Sequence, residues 1–450
     1  MKRKLIAGIL AGTMILSLAG CGNTSSPASA LDENKTAASE DTTASSENST
    51  AAKETGSASE TGGTTIQFWN SFTGTDGDVL RDLVEIYNKT NEKGNTVEMD
   101  IMPTASLEEK LPAAIASKTA PALVIKGNFD VATYGDNNIF QSADDFFDAT
   151  GTDKDDFSTA SLEALQYNGS QLMIPMQVHS TFLFWNKDLF EAAGLDPEAA
   201  PTTWDEVAEY AAKITDNSKK IYGVGLPVSG APCYFDAMFK SNGGDVVSED
   251  GKSSILDSPE NLKTLQYIQD LVTAGYAPKG ATGADTDNLM LAGQLGIYCS
   301  GPWLVSGLKE NDINFGVTAM PSGTKEAAGV IEVQGFGVTS TCSEEEKAAA
   351  YDFIAFWNTT ETCKAWSLRN GFPPYLQSVA KDKEVQADPI VNALSSISEF
   401  GYSFAPGVKA ANQINSEVLF PLIENISSGN DCQTELSNAS EKVNELLSAN

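Results

Sequence analysis

Thr65-Ile66-Gln67-Phe68-Trp69 opens the stretch that decides the fold. It is rich in β-branched and aromatic residues and reads as a strand. Gly74 and Gly77 mark a turn, and Val79, Leu80, Leu83, Val84, Ile86 and Tyr87 then recur at helical spacing. Val97, Met99 and Ile101 alternate as a second strand. Ser106 with Glu109 predicts a capping box ahead of Leu111, and Pro112 is expected to kink that helix. Ala122-Leu123-Val124-Ile125 is a third strand, apolar on both faces. Strand, helix, strand, helix, strand is the rhythm of a parallel-type sheet covered by helices, so the class is α/β.

The rhythm continues toward the C-terminus. Leu172-Met173-Ile174-Pro175 and Phe182-Leu183-Phe184-Trp185 read as strands. Thr203 and Glu206 cap a helix that carries Val207, Tyr210, Ala211 and Ile214. Ser258 with Pro259 opens another, with Leu262, Leu265, Ile268 and Val272 on one face and Gly275 at its end. Gly296-Ile297-Tyr298-Cys299 is a strand, Gly301-Pro302 starts a helix, and Ser343 with Glu346 caps the helix through Phe356. The last third is mostly helical, and no internal repeat occurs.

Toward the N-terminus the chain changes character. Residues 1–21 read as an export signal: Lys2, Arg3 and Lys4, an apolar run from Leu5 to Leu16, then Leu18-Ala19-Gly20-Cys21. The last four resemble a bacterial lipobox, with the Cys21 thiol as the lipid acceptor. Residues 22–64 are mostly Ser, Thr, Ala, Gly and Glu, with Leu31 the lone large aliphatic residue. Such a composition cannot bury enough surface to offset its ordering entropy, so it reads as a disordered tether. No other segment is long enough to span a bilayer. The reading places the protein at the cell membrane, lipid-anchored on the extracytoplasmic face.

Composition excludes whole classes. The formal charge is −32, with 61 acidic against 29 basic residues. Nucleic-acid binding needs clustered cations, so it is excluded, as is adsorption of the folded surface to anionic lipid. Losing the leader removes three cations and no acid, which makes the mature chain more acidic still. The single histidine, His179, rules out His-rich metal sites and leaves one candidate for any histidine base. Beyond Cys21 the cysteines are Cys233, Cys299, Cys342, Cys363 and Cys432, odd in number and widely spaced. They read as free thiols, with a Cys342–Cys363 bridge left open. Gly251-Lys252-Ser253 lacks the upstream glycine of a P-loop, and neither Gly223-Val224-Gly225 nor Gly335-Phe336-Gly337 completes a dinucleotide fingerprint. No metal site, cofactor or catalytic constellation emerges, so no enzyme activity is expected.

An ordered set of blocks resembles the family 1 extracellular solute-binding proteins of ABC importers, the carbohydrate-binding branch. They are Ile66-Gln67-Phe68-Trp69-Asn70-Ser71-Phe72, Tyr167-Asn168-Gly169 with Ile174-Pro175, and Leu183-Phe184-Trp185-Asn186-Lys187-Asp188-Leu189-Phe190 followed by Ala193-Gly194-Leu195-Asp196-Pro197. Pro201-Thr202-Thr203-Trp204-Asp205-Glu206, Gly301-Pro302-Trp303, Phe315-Gly316-Val317 to Pro321, and Asn370-Gly371-Phe372-Pro373-Pro374 continue in register. The resemblance implies a two-lobed periplasmic-binding-protein-like fold with a ligand cleft at the hinge. It implies chain crossings near 176–178, 289–295 and 334–338. The lobes would be 65–176 plus 296–335, and 180–292 plus 340–450. It further implies hinge closure on a solute, delivery to two ABC permease subunits, and action as a monomer.

A sugar site needs flat aromatic surface and a few fixed amides and carboxylates, supplied by loops after strands. Trp69, Asn70 and Phe72 follow the first strand; Asn128 and Asp130 follow the third, where the resemblance places ligand contacts. Lys126 replaces the aromatic residue of some maltose binders. His179 falls at the first crossing, Tyr234 where the family has a stacking aromatic residue, Trp303 in the Gly-Pro-Trp block, and Glu332 and Gln334 near the third crossing. A neutral sugar or oligosaccharide is expected. The competing ligand is glycerol-3-phosphate or a glycerophosphodiester, but the expected arginine region, Phe404 to Ala411, offers Lys409 alone. The competing class is a surface carbohydrate-active enzyme.

Overall fold

The computed structural model describes residues 62–228, 234–396 and 400–449. The export signal, Cys21, most of the tether, Cys233 and the Tyr234 side chain lie outside the described residues. Nine strands build two sheets: β1 (Thr65–Asn70), β2 (Thr96–Ile101), β3 (Leu123–Gly127), β4 (Ile174–His179), β5 (Phe182–Asn186), β6 (Tyr222–Gly225), β7 (Leu295–Ser300), β8 (Phe315–Thr318) and β9 (Glu332–Val338). The first sheet runs β2-β1-β3-β9-β4 and the second β8-β5-β7-β6. Two mixed sheets, each flanked by helices, give the expected two-lobed α/β architecture.

In the first lobe β1 pairs in parallel with β2 and β3, while β9 is antiparallel to β3 and β4. The helices α1 (Thr75–Thr90), α2 (Thr104–Ser117) and α3 (Val131–Asp136) follow β1, β2 and β3. The second lobe uses α4 (Trp204–Ile214), α5 (Tyr234–Ser241), α6 (Pro259–Thr273) and α7 (Gly283–Leu291). Next come α8 (Leu304–Glu310), α9 (Glu344–Trp357), α10 (Thr360–Asn370) and α11 (Pro389–Leu394). Caps follow local chemistry: Ser258 Oγ accepts from Asn261 N–H ahead of Pro259, and Ser343 with Glu346 forms a reciprocal capping box. The helix at 104–117 differs from expectation. It starts at Thr104 without a side-chain cap and carries Pro112 in its interior.

The lobe boundaries also differ. β7 and β8, in the span 296–335 expected in the first lobe, pair with β5 in the second sheet. Conversely Phe353, Trp357 and Trp366, expected in the second lobe, pack in one core with Ile66 and Phe68 of β1. The chain therefore passes from the first sheet to the second between His179 and Phe182. It returns just before Glu332, after Gly329–Val330 pairs with Gly401–Tyr402, and leaves again through α11, whose Val391 lies in the first core and whose Leu394 lies in the core of the second sheet. Residues 289–295 make no crossing. Hydrophobic periodicity shows that a strand is buried; it does not show which sheet receives it.

β4 begins two residues after the start of the expected strand, at Ile174, and ends four residues beyond it, at His179. Its register against β9 shifts between Gln334 and Gly335, opposite Gln177 and Pro175. A bulge there accommodates Pro175, which has no N–H to donate. Four described cysteines, Cys299, Cys342, Cys363 and Cys432, are free, so Cys342 and Cys363 are not bridged. Among the described residues no helix is long and apolar enough to cross a membrane.

Phe336 of β9 centres the first core, with ring centroids 5.9 Å from Phe68, 5.7 Å from Phe353 and 5.5 Å from Trp357. Truncating a buried aromatic removes transfer free energy and leaves a cavity. Phe336→Ala is expected to cost about 3–5 kcal/mol in urea unfolding. A loss below about 1 kcal/mol would show that the core collapses around the gap.

Candidate functional site

The parallel strands β1, β3 and β4 end on one edge of the first sheet, at Asn70, Gly127 and His179, and antiparallel β9 begins there at Glu332. Pairing puts Glu332 opposite His179 and Gln334 opposite Gln177 and Gly127. Residues from three distant parts of the chain therefore share one edge, at the crossings between lobes.

A hydrogen-bonded relay runs along it. Trp366 Nε1 donates to Gln177 Oε1 at 3.0 Å, and Gln177 Nε2 donates to Gln334 Oε1 at 2.8 Å. Gln334 Nε2 donates to Glu332 Oε1 at 3.0 Å, and Glu332 Oε2 lies 3.8 Å from His179 Nε2. Burial pushes the His179 pKa below its ordinary value, and the Glu332 carboxylate opposes that only in part. The imidazole is thus neutral at pH 7, with one donor and one acceptor nitrogen. Gly127 gives Glu332 its room: a Cβ there would overlap the Glu332 carboxylate.

Aromatic rings line the same region. Phe72 stacks on Trp366 (6.1 Å, 20°), Trp366 on Phe372 (5.2 Å, 22°), and Phe372 meets His179 edge to face at 6.0 Å. Trp303, from the second lobe, meets His179 edge to face at 5.5 Å. Beside the crossings several buried polar atoms have no hydrogen-bond partner: Ser180 Oγ, Thr181 Oγ1, Ser300 Oγ and both amide atoms of Asn370, two residues before Phe372. An unpaired buried polar atom costs about 1–3 kcal/mol. Such a set is suited to a solute that brings many hydroxyls.

The expected residues fall into groups. His179, Trp303, Glu332 and Gln334 are brought together. Phe72 reaches them only through its stack on Trp366 and is itself buried. Asn70 is fully buried; its Oδ1 accepts from Phe72 N–H and its Nδ2 reaches Asp100 O, so it shapes the turn. Trp69 packs against the core beneath α2 and α3. Asn128 Oδ1 accepts from Val333 N–H at 2.9 Å and ties the β3 end to β9. Asp130 pairs with buried Lys126 at 3.1 Å. Tyr234 begins α5, with its side chain outside the described residues, and Phe235 is core. Sequence reading missed Gln177, Trp366 and Asn370. Gln177 was findable, because two residues before His179 in a strand is the same face.

Similarity to known proteins agrees with this architecture. The family model of the bacterial extracellular solute-binding proteins matches residues 82–393. A maltotriose-binding protein of Pyrococcus abyssi is 23% identical over 346 residues, covering 76% of this chain and 73% of that protein. An sn-glycerol-3-phosphate-binding periplasmic protein of Escherichia coli (strain K12) is 25% identical over 335 residues, covering 69% and 74%. The solved structure of a maltose-bound T. maritima protein superimposes with a TM-score of 0.76 at 22% identity, over 85% of this chain and all of that one (100%).

Proposed function

The chain belongs to the bacterial extracellular solute-binding proteins, and we propose that within that family it captures a neutral sugar or oligosaccharide between its lobes and hands it to an ABC permease. The observation that carries the reading is the hinge-side edge itself. It joins the partly exposed Trp303 ring, set against His179 and backed by buried Phe372 and Trp366, to a neutral histidine, two glutamines and one carboxylate, with unpaired hydroxyl and amide atoms beside them. Aromatic faces cover the C–H side of a sugar, and fixed amides and carboxylates hold its hydroxyls. Ligand stabilises the closed form through its differential affinity for it. The sugar-binding relative in Pyrococcus abyssi supports the same class.

The glycerol-phosphate reading is supported by the Escherichia coli relative. A buried phosphate needs uncommitted cations, and those in view are engaged. Lys126 lies between Asp130 and Glu108, and Lys409 pairs with Asp136. Neutral carbohydrate therefore fits better. The protein acts by binding, without chemistry on its solute, and is held on the extracytoplasmic face of the cell membrane through lipid on Cys21.

A thermal-shift screen over mono- and oligosaccharides, glycerol phosphates and amino acids tests this. A sugar should raise the midpoint, with no product formed on prolonged incubation. Turnover of the best sugar would move the protein to the carbohydrate-active enzymes. A response to glycerol phosphates alone would replace the ligand.

A further inference from the structure

Residues 404–412 belong to the second lobe by burial. Phe404, Ala410 and Ala411 sit in its larger core, as does Ile414 just beyond. Yet the same segment touches the first lobe three times. Phe404 meets Phe129 edge to face at 6.3 Å. Lys409 pairs with Asp136 at the end of α3. Asn412 Nδ2 donates to Asp130 Oδ1 at 2.9 Å and to Glu108 Oε1 at 3.3 Å.

The third contact is the informative one. Asp130 and Glu108 face a single buried cation, Lys126, at 3.1 and 3.5 Å. One cation against two carboxylates leaves an acceptor surplus, and the Asn412 amide supplies donors to both acids from the opposite lobe. The backbone around it departs from local preference. Ala405, a residue with a Cβ, is held at φ +40°, and a π-helix, Ile414–Leu419, follows directly. Strained residues and π-turns persist where surrounding contacts over-determine them, and they cluster at functional segments.

We propose that residues 404–412 form a closure strap that seats on the α2–α3 flank of the first lobe, with Asn412 as the positioning residue that sets how long the closed form lasts. The proposal rests on the reading that a solute is held between the lobes, and it has the strap already seated in the sugar-free chain, where these contacts are formed, with solute adding to the closed population. It adds a contact away from the hinge-side edge that holds them shut. An aspartate at 412 would set a third acid against Asp130 and Glu108, so it should unseat the strap while leaving either lobe intact.

Hydrogen–deuterium exchange on the full chain tests this, with maltotriose as the added probe. Without sugar, Asn412→Asp should speed exchange about tenfold both in residues 411–418 and in residues 131–137 of the other lobe, with an unchanged thermal midpoint. Acceleration confined to 411–418 would overturn the strap. Lys409→Glu should loosen the same two segments, and adding Asp136→Lys should restore them; failure of that rescue would also overturn it. Maltotriose should slow exchange of both segments in the wild-type chain. No effect of maltotriose counts against that sugar as the solute and leaves the sugar-free comparison to decide the strap.

Discussion

Trp303→Ala should weaken sugar binding by roughly thirtyfold to a thousandfold, the about 2–4 kcal/mol expected of a buried aromatic anchor. The ring sits at the start of α8, where the second lobe meets the first, and packs against apolar clusters of both. Gly301 lets it lie over its own backbone, since a Cβ there would overlap the indole. One side of the ring is thus fixed by main chain and an edge contact is fixed by His179. The ring is only partly buried, so surface remains for a solute. Pre-fixed orientation spares the entropy of ordering a free indole on binding. Isothermal titration with the most stabilising sugar measures the effect, and the sugar-free thermal midpoint separates it from lost packing. Gly301→Ala should act in the same direction by displacing the ring. Affinity within threefold of wild type in Trp303→Ala would remove the residue from the site.

Local chemistry was readable where it is local. The strands at Thr65, Val97 and Leu123 and the caps at Ser258 and Ser343 follow from pattern and composition, and the structure has them. The lobe allocation was not readable. β7 is buried throughout and pairs with β5 and β6, but nothing in Leu295–Ser300 distinguishes a strand of one sheet from a strand of the other. The site behaved likewise. His179, Trp303, Glu332 and Gln334 stood out by type and by resemblance; His179, Glu332 and Gln334 share one sheet edge, and Trp303 meets His179 from the second lobe. Asn70 and Phe72 stood out for the same reasons, yet the Asn70 amide closes a turn and the Phe72 ring continues the core onto Trp366. Residue type announces what a side chain can do; which face of a strand end it takes depends on partners from elsewhere in the chain. Lys126 shows this most clearly. As a sequence feature it only broke a pattern. Its meaning, a buried charge shared with Glu108 and Asp130 and completed by Asn412, needs three more segments.

Binding should also depend on pH through Asp76. This residue begins α1 of the first lobe, beside Thr75, whose hydroxyl bonds Ser306 of α8 in the second lobe at 2.9 Å. Asp76 is buried where α1 lies against α8, and burial pushes its carboxyl up to about 7 from an ordinary 3.8. The Gly77 N–H opposes the shift, while Asp287 of α7 and Asp78 add to it; both charged neighbours acting on it are acids. Asp287 is itself raised to about 6 by burial, against the Tyr298 hydroxyl. If opening the lobes returns Asp76 to water, closing takes up a proton between about pH 4 and 7. The closed form is then favoured fully below about 4, loses about tenfold per pH unit above that, and loses nothing more beyond about 7. His179 pulls the other way below its ordinary 6.5, because a buried neutral imidazole must shed a proton on closing. Wild-type affinity alone therefore mixes two opposed slopes. The ratio of wild-type to Asp76→Asn dissociation constants cancels the histidine and any pH-independent contact. That ratio should rise steadily from pH 4 to 7 and then level, with a total change of up to about a thousandfold. A ratio that stays constant from pH 5 to 8 would mean that Asp76 is equally buried in the open form, and that α1 and α8 do not part when the lobes do.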